Sequence, residues 1–279
     1  MLVQSRSITC HRCVNNRAAV EDKRRHRQPY ARAGDGEHMN KYTAVITGGS
    51  KGIGADLGQR LIAKGYDVVS LSRGVPEWSD ARLHHVEVDL LDAAATEQAA
   101  CEIAAAHNVT HFVHNAGIIW PNLVEEVSAS DLTGLTQIHL GAPLILLQAF
   151  LPAMKANHFG RVMFNGSRAA LGVPTRTAYS ATKAGIIGMA RTWALELAPH
   201  GITVNVVSPG PVQTDNFWDI IPKGSGREAD LAKRIPVGRL GITRDISNAF
   251  MFFCDPENSF VTGQNLFVCG GGSVGAMSL

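Results

Sequence analysis

Thr43-Ala-Val-Ile-Thr-Gly-Gly-Ser-Lys-Gly-Ile-Gly54 joins a short apolar run to a turn with glycine at 48, 49, 52 and 54. The run reads as a buried strand and the glycines as a tight turn. A helical pattern follows over Ala55 to Lys64, with Leu57, Leu61 and Ile62 on one face and Gly65 as its stop. Strand, glycine turn and helix in this order make a phosphate-binding start. Without Cβ atoms in the way, backbone N–H groups at the helix N-terminus can approach an anion. The flanking strand and helix carry this reading, because a tight turn of the same composition needs no ligand.

Outward from this start, strands and helices alternate. Asp67-Val-Val-Ser-Leu71 is a second strand, followed by Ser72-Arg73. An acidic residue here would bond an adenosine ribose 2′-hydroxyl and repel a 2′-phosphate. A hydroxyl beside a guanidinium suits the phosphate instead, and Lys51 in the glycine turn can add charge. This favours NADP(H) over NAD(H), the alternative being that Arg73 is a solvated loop cation. His84 to Asp89 is a third strand, with the two histidines as ordinary strand residues, and a helix spans about Asp92 to His107. Thr110 to His114 is a fourth strand running into Asn115-Ala-Gly117, small residues that let a flat ligand pass close to the backbone. A long helix is expected from about Asp131 to Ala156, bent at Pro143. Arg161 to Asn165 is a fifth strand, and Ile202 to Val207 a sixth, closed by Ser208-Pro-Gly-Pro211. Thr214 to Arg234 mixes Phe217, Trp218, Ile220 and Ile221 with glycines and charges, the composition of a mobile flap with an apolar underside. A helix over Thr243 to Cys254 and a strand over Gln264 to Val268 complete the pattern of an α/β, Rossmann-type doubly wound parallel sheet with helices on both faces.

The fifth strand delivers Ser167, and twelve residues later Tyr179 and Lys183 stand four apart at the start of a long helix, on one face. A phenol normally titrates near pH 10, and a neighbouring ammonium favours its ionised form. Such a pair can exchange a proton with a substrate oxygen that Ser167 also reaches. Taken alone, Tyr-x-x-x-Lys is more often a helix-surface pair. The cofactor turn upstream and the Pro209-Gly210 turn downstream reverse that balance.

Composition narrows the classes. Lys and Arg total 26 against 24 Asp and Glu, a near-neutral balance with no field for nucleic acid or a membrane surface. The charge is uneven: residues 1–38 hold eight basic and four acidic side chains and lack apolar periodicity. They lack a signal peptide's apolar core and are too acidic for a presequence. The expected domains are therefore a basic, disordered extension over 1–38, with Met39 as the alternative start, and a single dinucleotide-binding catalytic domain over 39–279. Cys10, Cys13, Cys101, Cys254 and Cys269 are odd in number and scattered, which points to a reducing, cytoplasmic compartment without structural disulfides. Cys10-His-Arg-Cys13 has no partner pair at finger spacing, so no metal site is expected. No apolar run reaches the ~20 residues of a membrane span, Ala142 to Phe150 being too short.

Together these motifs resemble the short-chain dehydrogenase/reductase family, in its single-domain form, over residues 40 to 272, and the Gly241 to Gly271 region is similar to its 3-oxoacyl-carrier-protein reductase branch and the many generic relatives of that branch. The resemblance implies a cofactor turn at Gly48, Ser50, Lys51, Gly52, Ile53 and Gly54, with Ser72 and Arg73 at the adenosine ribose. It implies adenine contacts at Asp89 and Leu90, the family's signature at Asn115, Ala116 and Gly117, and nicotinamide-side contacts at Pro209, Gly210, Val212 and Thr214. Ser167, Tyr179 and Lys183 match its catalytic triad, with Tyr179 and Lys183 also contacting the cofactor. The chain departs from the family at His139, where relatives carry an Asn that holds a water in the proton relay, and at Cys269, where they commonly carry Asp. Imidazole both donates and accepts, so a relay through His139 is possible. The implied activity is hydride transfer between NADP(H) and a carbonyl or secondary alcohol, in a homotetramer or homodimer. The alternatives are an NAD-linked alcohol or sugar dehydrogenase and a non-catalytic cofactor-binding regulator.

Overall fold

The computed structural model describes residues 42–274; the expected N-terminal extension, Met39, Cys10 and Cys13 lie outside the described residues. Seven parallel strands form one sheet in the order β3-β2-β1-β4-β5-β6-β7. They are β1 Thr43–Thr47, β2 Asp67–Ser72, β3 Leu83–Glu87, β4 Val109–His114, β5 Gly160–Asn165, β6 Ile202–Pro209 and β7 Asn265–Val268. The helices are α1 Gly52–Ala63, α2 Ala93–Ala106, α3 Ala129–Thr136, α4 Ala142–Ala156, α5 Thr177–Leu197, α6 Asp215–Ile220, α7 Arg227–Lys233 and α8 Thr243–Cys254.

Side-chain alternation along the strands divides the interior into two layers. Val45, Val69, Phe112, Val162 and Val204 point into a core shared with α2, α4 and α5. Their neighbours Ala44, Ile46, Val68, Val113 and Met163 point the other way, onto α1 and α8. β1 is wholly buried, as its unbroken apolar run requires. It pairs with β2 on one side and β4 on the other, which places the reversal of strand order at the carboxyl end of β1. Open sheets of this kind bind ligands at that switch point.

The expected long helix is three segments. α3 begins with a Ser128–Asp131 capping box, a π-helical turn spans Gln137–Gly141, and α4 follows. The π turn ends two residues before Pro143. Pro143 has no N–H to give the His139 carbonyl, which removes one of the bonds an α-helical path would need there. The whole stretch Ala129–Ala156 is long and apolar enough to cross a bilayer, contrary to the expectation of no such run. Leu135, Leu146, Leu147, Phe150 and Met154 on it are buried in the main core, which accounts for its hydropathy. The expected third strand ends earlier, at Glu87, where its pairing with Ser72 stops. Among the described residues Cys254 and Cys269 are free thiols.

Candidate active site

The carboxyl ends of β1, β4, β5 and β6 converge on one cleft. Its floor is a polar network that begins at Thr47. The Thr47 hydroxyl lies 3.0 Å from His114 Nδ1 and accepts from the backbone N–H groups of Asn115 and Ala116, both at 3.0 Å. The Asn115 amide donates to the Gly48 carbonyl at 3.0 Å, and its oxygen accepts from Asn165 Nδ2 at 3.0 Å. The Asn165 carbonyl in turn accepts from Lys183 Nζ at 2.7 Å. The signature residues after β4 thus tie the glycine turn to the lysine of α5.

Ser167 follows β5 and sits before a short 3-10 turn, with its hydroxyl accepting from the Ala169 N–H at 3.0 Å. The Tyr179 phenol lies near enough to this hydroxyl for Ser167 to favour its ionised form. Burial raises the Tyr179 pKa above its usual 10, while Ser167 and then Arg176 act to lower it. The phenol therefore holds its proton at neutral pH. The sequence motif suggests Lys183 as the cation that lowers the phenol, whereas in the folded chain that cation is Arg176.

Lys183 is 2% exposed, and burial pulls its pKa down to about 7. Its Nζ stands 5.5 Å from the Tyr179 ring centroid. An unfolded lysine keeps its proton to near pH 10.5, so between about pH 7 and 10 the unfolded chain holds more protons and stability rises with pH. Replacement by methionine removes this dependence. In thermal unfolding without dinucleotide, the Tm of Lys183→Met minus that of wild type is expected to be largest at pH 6–7 and to fall towards pH 10. A difference that stays flat with pH would contradict a buried, easily deprotonated lysine.

His139 lies in the π turn and is fully buried, with its ring edge-on to Tyr179 at 5.5 Å. Its Nδ1 is 2.8 Å from the Thr182 hydroxyl. That hydroxyl has one hydrogen, directed at the carbonyls of Ala178 and Tyr179 at 3.1 and 3.0 Å, so it accepts from His139 Nδ1–H. Nε2 is then a bare lone pair, buried and without a protein partner. It points past Gly117 towards the lysine: a Cβ at Gly117 would lie 2.9 Å from His139 Nε2 and 3.5 Å from Lys183 Nζ. Burial and the nearby Lys183 and His114 hold the imidazole neutral.

The glycine turn has the shape an anion needs. Gly48 and Gly52 have φ of +65° and +60°, and a side chain at Gly54 would collide with the Gly48 carbonyl. The first turn of α1 has no side-chain cap and no acidic residue, which leaves its N–H groups to a phosphate. Ser50, Ile53 and Gly52 line this turn, and Thr214 stands across from it with its methyl 3.8 Å from a Cβ placed at Gly52. At the end of β2, Ser72 donates to the Gly74 carbonyl and Arg73 is exposed, with no ion pair among the described residues. His85 Nε2 lies 3.3 Å from the Ser72 hydroxyl, which brings one of the two strand histidines to this position. Lys51 is committed elsewhere, at 2.6 Å from Asp215 of α6. Asp89 accepts from the Leu91 N–H and is exposed, whereas Leu90 is buried.

Pro209 ends β6, and Gly210 packs so tightly on Cys269 that a Cβ there would come within 2.8 Å. Cys269 is buried and its sulfur lies 3.1 Å from Ser273 Oγ, a packing position. Val212 is buried and bridges to Gly241. The expected flap is two short helices, α6 and α7, and Asn216 reaches back to the Gly117 carbonyl at 3.5 Å. Thr47, which opens the glycine motif, and His114, Asn165, Arg176 and Thr182 also belong to this site. Sequence reasoning does not assign the last four a role, because what places them is contact with residues distant in the chain or, for Arg176, with the loop after β4.

Comparison with known proteins gives one consistent picture. A family model described as Enoyl-(Acyl carrier protein) reductase matches residues 48–273. The chain is 35% identical over 242 residues to the hydroxy(phenyl)methylsuccinyl-CoA dehydrogenase subunit BbsD of Thauera aromatica, covering 83% of this chain and 96% of that one. It is 31% identical over 236 residues to the 3-oxoacyl-(acyl-carrier-protein) reductase FabG of Escherichia coli (strain K12), covering 82% and 96%. A solved structure from Beutenbergia cavernae, provisionally named as an NAD(P) dependent gluconate 5-dehydrogenase and holding NADP at low occupancy, superposes with a TM-score of 0.80. It is 32% identical and covers 85% of this chain and 98% of that one.

Proposed function

The chain belongs to the short-chain dehydrogenase/reductase family and is an NAD(P)-dependent oxidoreductase, and from that premise we propose that it reduces a 3-oxoacyl-like ketone with NADPH. The observation that carries this reading is the convergence of the Ser167 and Tyr179 hydroxyls beside Lys183, at the switch point next to the glycine turn. The dinucleotide's phosphates fit the uncapped N-terminus of α1, with Gly48, Gly52 and Gly54 leaving room for its approach. A bound nicotinamide supplies the hydride.

The side chains supply the rest. Ser167 and Tyr179 hydrogen-bond the carbonyl oxygen and orient it. As negative charge grows on that oxygen, Tyr179 donates the phenolic proton that burial has kept in place. Lys183, which titrates near neutrality, stands beside the ring to restore a proton to the phenolate. His139 Nε2 is the acceptor at the far side of the lysine, in the relay position where the family usually has Asn.

Support for NADP(H) comes from the end of β2, where an exposed, uncommitted Arg73 stands in place of an acid. Lys51, drawn to Asp215, contributes less than its place in the turn suggests. The names of the relatives, which refer to acyl-CoA, acyl-carrier-protein and gluconate substrates, support a carbonyl or secondary alcohol as the reacting group. The test is a panel of 3-oxo esters and thioesters assayed with NADPH and NADH. Wild type is expected to favour NADPH, and Arg73→Ala to lose that preference by about ten- to a hundredfold, the size of a charge-assisted contact. Equal use of both dinucleotides by wild type, or unchanged selectivity in the variant, rejects the role of Arg73.

A further inference from the structure

Arg176 immediately precedes α5, three residues ahead of Tyr179. Its side chain is half-buried, and no carboxylate among the described residues forms an ion pair with it. A guanidinium so placed normally has an acidic partner, because removing it from water without one is costly. Asp131, in the segment joined to Asn122, is occupied: it accepts from the Ser128 backbone at 3.0 Å and faces the Asn122 amide at 3.4 Å.

The backbone around Arg176 is held in an unusual shape. Thr175 has a φ of +65°, a left-handed conformation that β-branched residues rarely adopt. In that shape both its carbonyl and its hydroxyl accept from Arg176 Nη1, at 3.1 and 2.6 Å. The same carbonyl accepts from Asn122 N–H at 3.1 Å, and Asn122 and Arg176 form an isolated parallel bridge. The loop after β4 and the start of α5 are thereby stitched together around one edge of the guanidinium. Nε and Nη2 are left without a hydrogen-bond partner among the described residues. Arg176 is the N-cap of α5 and Tyr179 lies in the first turn of that helix, so the cation and the reacting hydroxyl stand at the same helix end, and each influences the titration of the other.

We propose that Arg176 binds a carboxylate of the substrate, so that this enzyme acts on keto acids and hydroxy acids whose carbonyl or alcohol carbon sits at Tyr179. The inference rests on the reading of Tyr179 given above. It adds the chemical class of the substrate, with the free edge of the guanidinium as the recognition element.

The test titrates the enzyme–NADP+ complex calorimetrically with two acids, 4-oxopentanoate and 4-oxo-4-phenylbutanoate, and with their methyl esters. The same four compounds are then assayed as substrates with NADPH. Wild type is expected to bind each acid at least about tenfold more tightly than its ester. Arg176→Gln is expected to bring the two to parity by weakening the acid alone, with the loss appearing in KM more than in kcat. Arg168→Gln, on the neighbouring turn with its guanidinium towards the Gly272 carbonyl, should keep the acid preference. Should Arg176→Gln fail to fold, Arg176→Lys retains the charge and loses the fork, and a reduced preference then supports the proposal. Acids and esters binding alike to wild type, including no measurable binding of either, overturns it, as does a preference undiminished by the Arg176 variant. Acid binding that depends on Arg176, without turnover of any compound here or in the 3-oxo panel, sustains the carboxylate site and removes the reductase reading.

Discussion

Tyr179→Phe is expected to lower kcat for ketone reduction about a thousandfold, within the range that a positioned general acid contributes, and to leave NADPH binding within about twofold of wild type. The substitution deletes the phenolic oxygen and little else. The ring keeps its edge-on contact with His139 at 5.5 Å and its place beside Lys183 Nζ. Ser167 still has the Ala169 N–H on its oxygen, so the loop after β5 holds its conformation. What disappears is the proton donor at the point where charge develops, and Ser167 alone cannot replace it. Stopped-flow measurement of NADPH oxidation, with dinucleotide binding followed separately by fluorescence, separates the two effects. A variant that turns over within tenfold of wild type would show that another group supplies the proton.

Gly54→Ala is expected to weaken NADPH binding by at least about a hundredfold, a loss of roughly 2.8 kcal/mol, and to lower Tm. A methyl group at this position would sit 2.1 Å from the Gly48 carbonyl oxygen and 2.8 Å from Asn115 Nδ2. The Gly48 carbonyl cannot retreat freely. It accepts from that same Asn115 amide, and Asn115 is linked through Asn165 to Lys183. Relief of the clash therefore displaces both the glycine turn and the floor under Lys183. Overpacking of this kind costs about 1–3 kcal/mol of stability, roughly 2–12 °C in a chain of this size. Gly188→Ala on α5 is the control, since a Cβ there meets nothing within 4 Å and NADPH binding is expected to stay at the wild-type level. Wild-type affinity in Gly54→Ala would mean that the turn does not hold the dinucleotide.

The sequence shows the local part of this protein plainly. Thr43 to Gly54 reads as strand and turn because apolar continuity and missing side chains are properties of neighbouring residues. Thr243–Cys254 is a helix with the boundaries its periodicity predicts. Ser167, Tyr179 and Lys183 stand out for the same reason, being close in the chain and regularly spaced. Pro143 is legible as a disruption, whereas the π turn that precedes it is seen only in the folded chain.

The sequence by itself determines a doubly wound sheet with a glycine-rich turn and a Ser-Tyr-Lys set, because those follow from backbone preference and short-range spacing. Only the tertiary structure decides what the charged and polar groups face. It buries Lys183 until its pKa falls to about 7, gives His139 a partner 43 residues away in Thr182, and draws Lys51 off to Asp215. Among the described residues it also leaves Arg176, one turn from Tyr179, without an acidic ion-pair partner. Desolvation and charge pairing depend on distance in space, and residues far apart in the chain set that distance here.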